Sequence, residues 1–149
     1  MKSLHHSKII ITHPNIYVYT AVINACAYTE RDSLEKREAL QIFVDTYKEM
    51  INKSDVVPNH VTFVTVLTAL RNLLPADERR FAAVGTVFGK CKEMGMCDCH
   101  VMKRLQSVLN SEELKSLVGA ERLNKHGVVD MAQIPAEWNC NVQSKPNRR

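Results

Sequence analysis

Glycine and proline are scarce in this chain, with five of each in 149 residues, against a usual combined share of roughly 12%. So few turn-forming residues argue against an all-β sandwich or barrel, and against a collagen-like or disordered composition. Long apolar runs are also absent, since no stretch reaches the length of about 18 residues that a membrane-spanning helix needs. The remaining composition, 45% hydrophobic and 24% charged, is that of a globular protein and favours helices.

Acidic residues are absent from residues 1–13, which carry Lys2 and Lys8. Their apolar run, residues 9–11, is too short for the core of a secretory signal. A basic, acid-free start predicts an organelle transit segment directed to a mitochondrion or plastid. An untargeted or truncated start is the alternative, and the expected location is then cytoplasmic. The net charge of +4 permits nucleic-acid binding without establishing it.

Paired C-x2-C spacing is missing, although the chain has five cysteines. An odd number without a secretory signal indicates reduced thiols inside a cell or an organelle. Residues 91–100 follow the pattern Cys-x5-Cys-x-Cys-His, but zinc sites commonly use ligand pairs at closer, regular spacing. We therefore interpret the cysteines as small apolar or turn residues, and expect no metal and no cofactor. They are Cys26, Cys91, Cys97, Cys99 and Cys140.

An internal repeat is present, because residues 14–50 align without gaps on residues 58–94 at an offset of 44. Pro14 and Pro58 coincide, each is followed by asparagine, and both copies close on Lys-Glu-Met. A period of this length is typical of arrays in which each unit stacks on its neighbour.

Each copy is predicted to form two helices. The first has apolar residues at i, i+3, i+4 and i+7, the spacing of one buried helical face: Tyr19, Val22, Ile23 and Cys26, then Phe63, Val66, Leu67 and Leu70. The second has a comparable stripe: Leu40, Phe43, Val44, Tyr47 and Met50, then Val84, Val87, Phe88, Cys91 and Met94. Between the helices we expect an N-cap at Asp32 or Ser33 in the first copy, and a break at Pro75 in the second.

A third, degenerate unit follows, with Asp98 in place of the asparagine of the Pro-Asn turn. Its last helix is expected to have Ser111 as N-cap and Gly119 at its C-terminal end. The sequence thus predicts an all-α fold, an α-solenoid of helix-turn-helix repeats over residues 14–118. Its units are 14–57, 58–96 and 97–118.

Residues 119–149 are predicted to be a C-terminal extension. Trp138 is expected to fold back over the last helix pair, because the end units of a solenoid need covering. The final residues, 143–149, have a basic end and are expected to be disordered.

The units resemble the pentatricopeptide repeat family over about residues 14–118. The resemblance rests on Pro-Asn before a first helix with an aromatic residue in its first turn, on Glu38-Ala39-Leu40, and on the closing Glu-Met. The period of 44 is longer than the family's own, with the surplus in the inter-helix turn and the second helix. The related tetratricopeptide signature, Trp…Leu-Gly…Tyr, is absent.

The resemblance implies binding of single-stranded RNA, one base per repeat, by side chains on the first helix and at the junction to the next unit. In unit one these are Thr20 and Asn59, a pair that favours adenine in the family. Tyr17 stands beside the base, where the family has an aliphatic residue. The alternative is that Thr20 is solvated and Asn59 is an ordinary helix cap.

In unit two the corresponding residues are Val64, Asp98 and, beside the base, Val61. Because a valine side chain forms no hydrogen bonds, we expect weak or no base preference there. Three basic residues on or beside first helices are candidates for phosphate contacts, with solvated surface charge as the alternative: Arg71, Lys103 and Arg104.

Two functions are therefore predicted as alternatives. One is an RNA-binding pentatricopeptide protein acting in organelle RNA processing, stability or translation; the other is a helical-repeat scaffold that binds a protein without RNA. The chain lacks a Gly-rich phosphate loop, H-E-x-x-H and G-x-S-x-G, so we expect no enzymatic activity. Two and a half units read at most two bases. The chain is thus expected to dimerise, to act with protein partners in a larger ribonucleoprotein complex, or to belong to a longer array.

Overall fold

The computed structural model describes residues 14–29 and 33–142, and within them the chain is all-α. Within these residues the six α-helices are α1 (Ile16–Ala27), α2 (Ser33–Asn52), α3 (His60–Leu73), α4 (Glu78–Glu93), α5 (Cys99–Val108) and α6 (Ser111–Val118). Three short 3-10 helices follow: Ala120–Arg122, Met131–Gln133 and Ala136–Trp138. In these residues the β-type pairing is limited to one isolated bridge between Leu123 and Val129.

Among the described helices, none combines the length and the apolar character required to cross a membrane. The predicted targeting or truncated segment at residues 1–13 and the predicted disorder at residues 143–149 lie outside the described residues.

The first helix of each unit begins at a capping side chain. The oxygens of Asn15, Asn59 and Asp98 accept a hydrogen bond from the backbone N–H three residues later, at 3.0, 2.9 and 2.9 Å. These caps satisfy N–H groups that a helix start leaves without an intrahelical partner. Asp98 therefore occupies the same place in the third unit as the asparagines in the first two.

Helix α3 is the centre of the fold, because it packs against α1, α2, α4 and α5. Its apolar stripe is buried along the whole helix, with Phe63 and Val66 both 0% exposed. Of the eight residues predicted for the two first-helix stripes, only Val22 is half-buried rather than buried. Polar bonds also join the helices: Asn72 of α3 donates to the Ala27 carbonyl of α1 at 2.7 Å, and Tyr19 of α1 donates to Glu49 of α2 at 2.5 Å.

Most of the predicted helix boundaries are confirmed. Helix α3 ends at Leu73, before Pro75, and α6 ends at Val118, with Gly119 as its C-cap at a φ of 99°. Ser111 as N-cap of α6 was wrong by one residue, because Asn110 and Glu113 form a reciprocal capping box and Ser111 is already helical. Asp32 lies outside the described residues, and α2 begins at Ser33.

The Trp138 ring packs on α4, whereas the prediction placed it over the last helix pair, α5 and α6. The Trp138 ring meets Phe88 edge-on at a centroid distance of 5.7 Å, and Lys92 Nζ lies 4.8 Å from the same indole. The backbone N–H of Cys97 donates to the Trp138 carbonyl at 2.8 Å. Gly95, at a φ of 68°, lies so close to this segment that a Cβ there would meet a cysteine sulfur at 2.9 Å.

Candidate nucleic-acid interface

A cavity of about 390 Å³ opens between α1 and the N-terminal half of α3, and we call it the α1–α3 cavity. Its volume falls within the range of roughly 300–1,000 Å³ that small-ligand sites occupy. It is lined by Tyr17, Thr20, Ala21, Asn24, Asn59, Val61 and Thr65. The structure thus brings together the three residues named for unit one, Tyr17, Thr20 and Asn59, and adds Val61 from unit two.

A chain of hydrogen bonds joins two of these residues beneath the cavity. Thr20 Oγ1 lies 3.1 Å from Thr62 Oγ1, and Thr62 Oγ1 lies 3.1 Å from Asn59 Oδ1. Thr62 is 0% exposed, so this link is shielded from water. Thr62 is not among the residues predicted from the sequence, although its place three residues after a capping asparagine is a position from which a side chain can return a bond to the cap.

Within the described residues, the carboxamide oxygen of Asn59 is hydrogen-bonded and its nitrogen is not. Its oxygen accepts from both the backbone N–H and the hydroxyl of Thr62. Its nitrogen has no hydrogen-bond partner among the described residues, and it belongs to a side chain that lines the α1–α3 cavity. Asn59 therefore offers a ligand donors rather than acceptors.

The rim of the cavity is aromatic and apolar. Tyr17 is 75% exposed and Val61 is 52% exposed. Within the described part of the chain the Tyr17 ring contacts no other aromatic ring. An exposed ring beside polar groups is the arrangement on which nucleic-acid bases stack.

Unit two is built differently at the corresponding positions. Val64 is half-buried and packs against the core. Asp98 caps α5 through Oδ1, and its Oδ2 lies 3.8 Å from His60 Nε2 and 3.5 Å from His100 Nδ1. The carboxylate of Asp98 is thus engaged by a helix start and two imidazoles, while Val64 supplies no polar atom.

Charge is distributed unevenly between first and second helices. Helices α1, α3 and α5 contain no aspartate or glutamate, and their basic residues are Arg71, Lys103 and Arg104. The second helices contain eight acidic residues: Glu35, Glu38, Asp45, Glu49, Glu78, Glu93, Glu112 and Glu113. The first helices therefore form a layer without negative side chains inside the helices, and its positive charge lies on α3 and α5.

The three basic residues differ in how far they are engaged. Arg71 Nη1 lies 3.5 Å from Ser107 Oγ, and its Nε donates to Asn72 at 3.3 Å. Lys103 is exposed and Arg104 half-buried, and neither has an ion-pair partner within the described ranges. Lys103 is thus the most accessible of the three cations.

Two of the cysteines form a buried pair. Cys97 Sγ lies 3.3 Å from Cys91 Sγ, and both residues are at most 1% exposed. The adjacent Cys97 thiol and burial raise the pKa of Cys91. Cys99, by contrast, is exposed at the first turn of α5. In the part of the chain that the structure describes, no group of three or more His, Cys, Asp or Glu side chains is arranged to hold a metal ion.

Comparison with known proteins gives no match: no protein-family model, no curated protein sequence and no solved structure is similar to this chain.

Proposed function

We propose that this chain is an RNA-binding protein of the pentatricopeptide type, acting in organelle RNA processing, stability or translation. Its helices form a short α-solenoid, and single-stranded RNA lies along α1, α3 and α5. The α1–α3 cavity carries the proposal, because an exposed tyrosine, a hydroxyl and an amide donor converge there from two successive units. The packing of α1 on α3, and of α3 on α5, supports a repeating first-helix layer.

A base in the α1–α3 cavity would meet two kinds of contact. Its face would stack on Tyr17, and its edge would hydrogen-bond to Thr20 and Asn59. Stacking on an aromatic side chain contributes about 1–3 kcal/mol per base, and a good pair of hydrogen bonds to a base edge adds a comparable discrimination of about 1–3 kcal/mol. These contributions suit one base with a definite preference, and adenine is the base that we propose.

The charge distribution supports the same face. Phosphates are repelled by carboxylates and attracted by arginine and lysine, and the first helices carry only the latter. We propose that phosphates flanking the bound base contact the basic residues of α3 and α5, which are Arg71, Lys103 and Arg104.

Binding of eight-nucleotide oligoadenosine and oligouridine, measured by fluorescence anisotropy at two salt concentrations, tests the proposal. We expect tighter binding of oligoadenosine. With three phosphate contacts, the slope of log K against log salt should be about −2, a loss of about 20-fold between about 50 and about 200 mM salt. Lys103→Ala should reduce the slope by about 0.7, because it removes one of these contacts.

Lys48→Ala is the matched control, because Lys48 is an exposed lysine on α2 and that helix is outside the first-helix layer. It should leave both the affinity and the slope unchanged. Absent binding, or binding that salt does not weaken, would contradict the proposal.

A second candidate function, docking of a protein, is favoured by a separate apolar groove of about 670 Å³ between α1 and α2. In unit two the equivalent face of the first helix, at Thr62, Val66 and Ala69, is 0% exposed, because α3 packs against the first unit. In unit one that groove is open, and Leu34 beside it is 60% exposed. The occupant that fits is another helical hairpin with an apolar face, since a hairpin covers the equivalent surface of unit two.

The apolar groove and the α1–α3 cavity share no lining residue. A charge introduced into the groove therefore distinguishes a function of the groove from RNA binding in the cavity. Leu34→Asp should leave the Kd for oligoadenosine within about twofold of the wild type, because surface substitutions away from a contact change free energies by at most about 0.5 kcal/mol. If the Kd rose with Leu34→Asp and not with substitutions in the α1–α3 cavity, the RNA would be shown to bind in the groove and not in the cavity.

A further inference from the structure

Threonine hydroxyls in these helices usually bond to their own helix. A bond to the carbonyl four residues earlier is the common arrangement for threonine inside a helix. It is made at 2.6–3.1 Å by Thr46, Thr65, Thr68 and Thr86. Thr20 and Thr62 depart from this pattern, because their hydroxyls meet each other across the α1–α3 contact. The side chain of Thr20 is therefore oriented by α3 rather than by its own helix.

The hydrogens in this contact can be assigned from the neighbouring bonds. The backbone N–H of Thr62 can only donate, so the Asn59 atom at 2.9 Å is the amide oxygen. The Thr62 hydroxyl donates its single hydrogen to the same oxygen at 3.1 Å, and accepts from the backbone N–H of Asn59 at 3.3 Å. Either hydroxyl could donate in the Thr20–Thr62 contact, but in this arrangement Thr62 has no second hydrogen to give, so Thr20 is the donor.

This arrangement of hydrogens makes Thr20 only an acceptor, and Asn59 only a donor, toward a ligand in the cavity. Thr20 has given its hydrogen to Thr62, so it presents only lone pairs to a ligand. Asn59 has both oxygen contacts occupied by Thr62, so it presents only N–H donors. A hydroxyl that rotated freely would instead donate or accept as the ligand required.

We propose that Thr62 is a positioning residue for base recognition, an inference that rests on the proposed function. Thr62 fixes Thr20 as the acceptor and Asn59 as the donor. A base with an amino group beside an unprotonated ring nitrogen, as in adenine, complements this pair. Uracil presents the reverse order, a carbonyl beside an N–H. Thr62 touches no RNA itself, and its effect is transmitted through Thr20 and Asn59.

Thr62→Val tests this role, since valine has nearly the same shape but no hydroxyl. Thr20 should then turn to bond the Ile16 carbonyl of its own helix, and the ratio of the oligouridine Kd to the oligoadenosine Kd should fall about tenfold. Thr62→Ser retains the hydroxyl and should restore the wild-type ratio. Thr68→Val is the matched control, because Thr68 is a buried threonine of the same helix that bonds to the Val64 carbonyl and does not line the cavity.

A second readout does not depend on RNA. The side-chain rotamer of Thr20, measured by NMR coupling constants in the free protein, should change in Thr62→Val and not in Thr62→Ser or Thr68→Val. Circular dichroism would verify that each variant keeps its helices. An unchanged base ratio and an unchanged Thr20 rotamer in Thr62→Val would overturn the role of Thr62 alone. A wild-type protein that binds neither oligonucleotide would instead overturn the proposed function, and with it this role.

Discussion

Replacing Tyr17 with alanine should raise the Kd for oligoadenosine about 5- to 150-fold, because base stacking on an aromatic ring contributes about 1–3 kcal/mol. Tyr17 lies at the rim of the α1–α3 cavity with 75% of its surface exposed. Its removal should therefore change the free energy of unfolding by at most about 0.5 kcal/mol. Fluorescence anisotropy with labelled oligoadenosine measures the first quantity, and urea denaturation measures the second.

Two further variants give this test its specificity. Tyr28 is 57% exposed at the C-terminal end of the same helix and does not line the cavity, so Tyr28→Ala should leave the Kd unchanged. Tyr17→Leu replaces the ring with an aliphatic wedge. A Kd for Tyr17→Leu equal to that of the wild type would show that position 17 separates bases by shape and does not stack.

Phe63→Ala should lower the free energy of unfolding by about 3–5 kcal/mol, the usual cost of deleting a large buried side chain. Phe63 is 0% exposed and belongs to α3, the helix that packs against four others. This loss is a large part of the total of about 5–15 kcal/mol for a domain. The midpoint of urea denaturation, followed by circular dichroism, should shift accordingly.

Val61→Ala is the matched control for Phe63→Ala. Val61 lies on the same helix two residues earlier, but it is 52% exposed, so its truncation should change the free energy of unfolding by at most about 0.5 kcal/mol. If Phe63→Ala cost no more than Val61→Ala, α3 would not be the packed centre of the molecule.

The helices of this chain were predictable because their apolar residues follow a 3.6-residue period through a repeat. Ile23 and Leu67, for example, hold equivalent positions, and both are buried. Breaks at Pro75 and Gly119 were predictable from backbone chemistry alone. The N-cap of α6 was missed by one residue, because asparagine and serine are both good caps and only the return bond from Glu113 decides between them.

The candidate site was only partly predictable, because its key contact is tertiary. Tyr17, Thr20 and Asn59 were named through a family resemblance, and the structure brings them to one cavity. The bond between Thr20 and Thr62 joins residues 42 positions apart, and no local pattern specifies the direction of a hydroxyl. The packing of Trp138 on Phe88 likewise depends on the path of an extension that has no periodic signal.

The docking of Trp138 has a practical optical consequence. It is the one tryptophan in the sequence, and its indole lies against Phe88, Lys92 and Arg122. None of these residues lines the α1–α3 cavity. Intrinsic tryptophan emission is therefore a single-site probe of whether the C-terminal extension is attached. A ligand in the cavity is better followed by a label on the ligand itself.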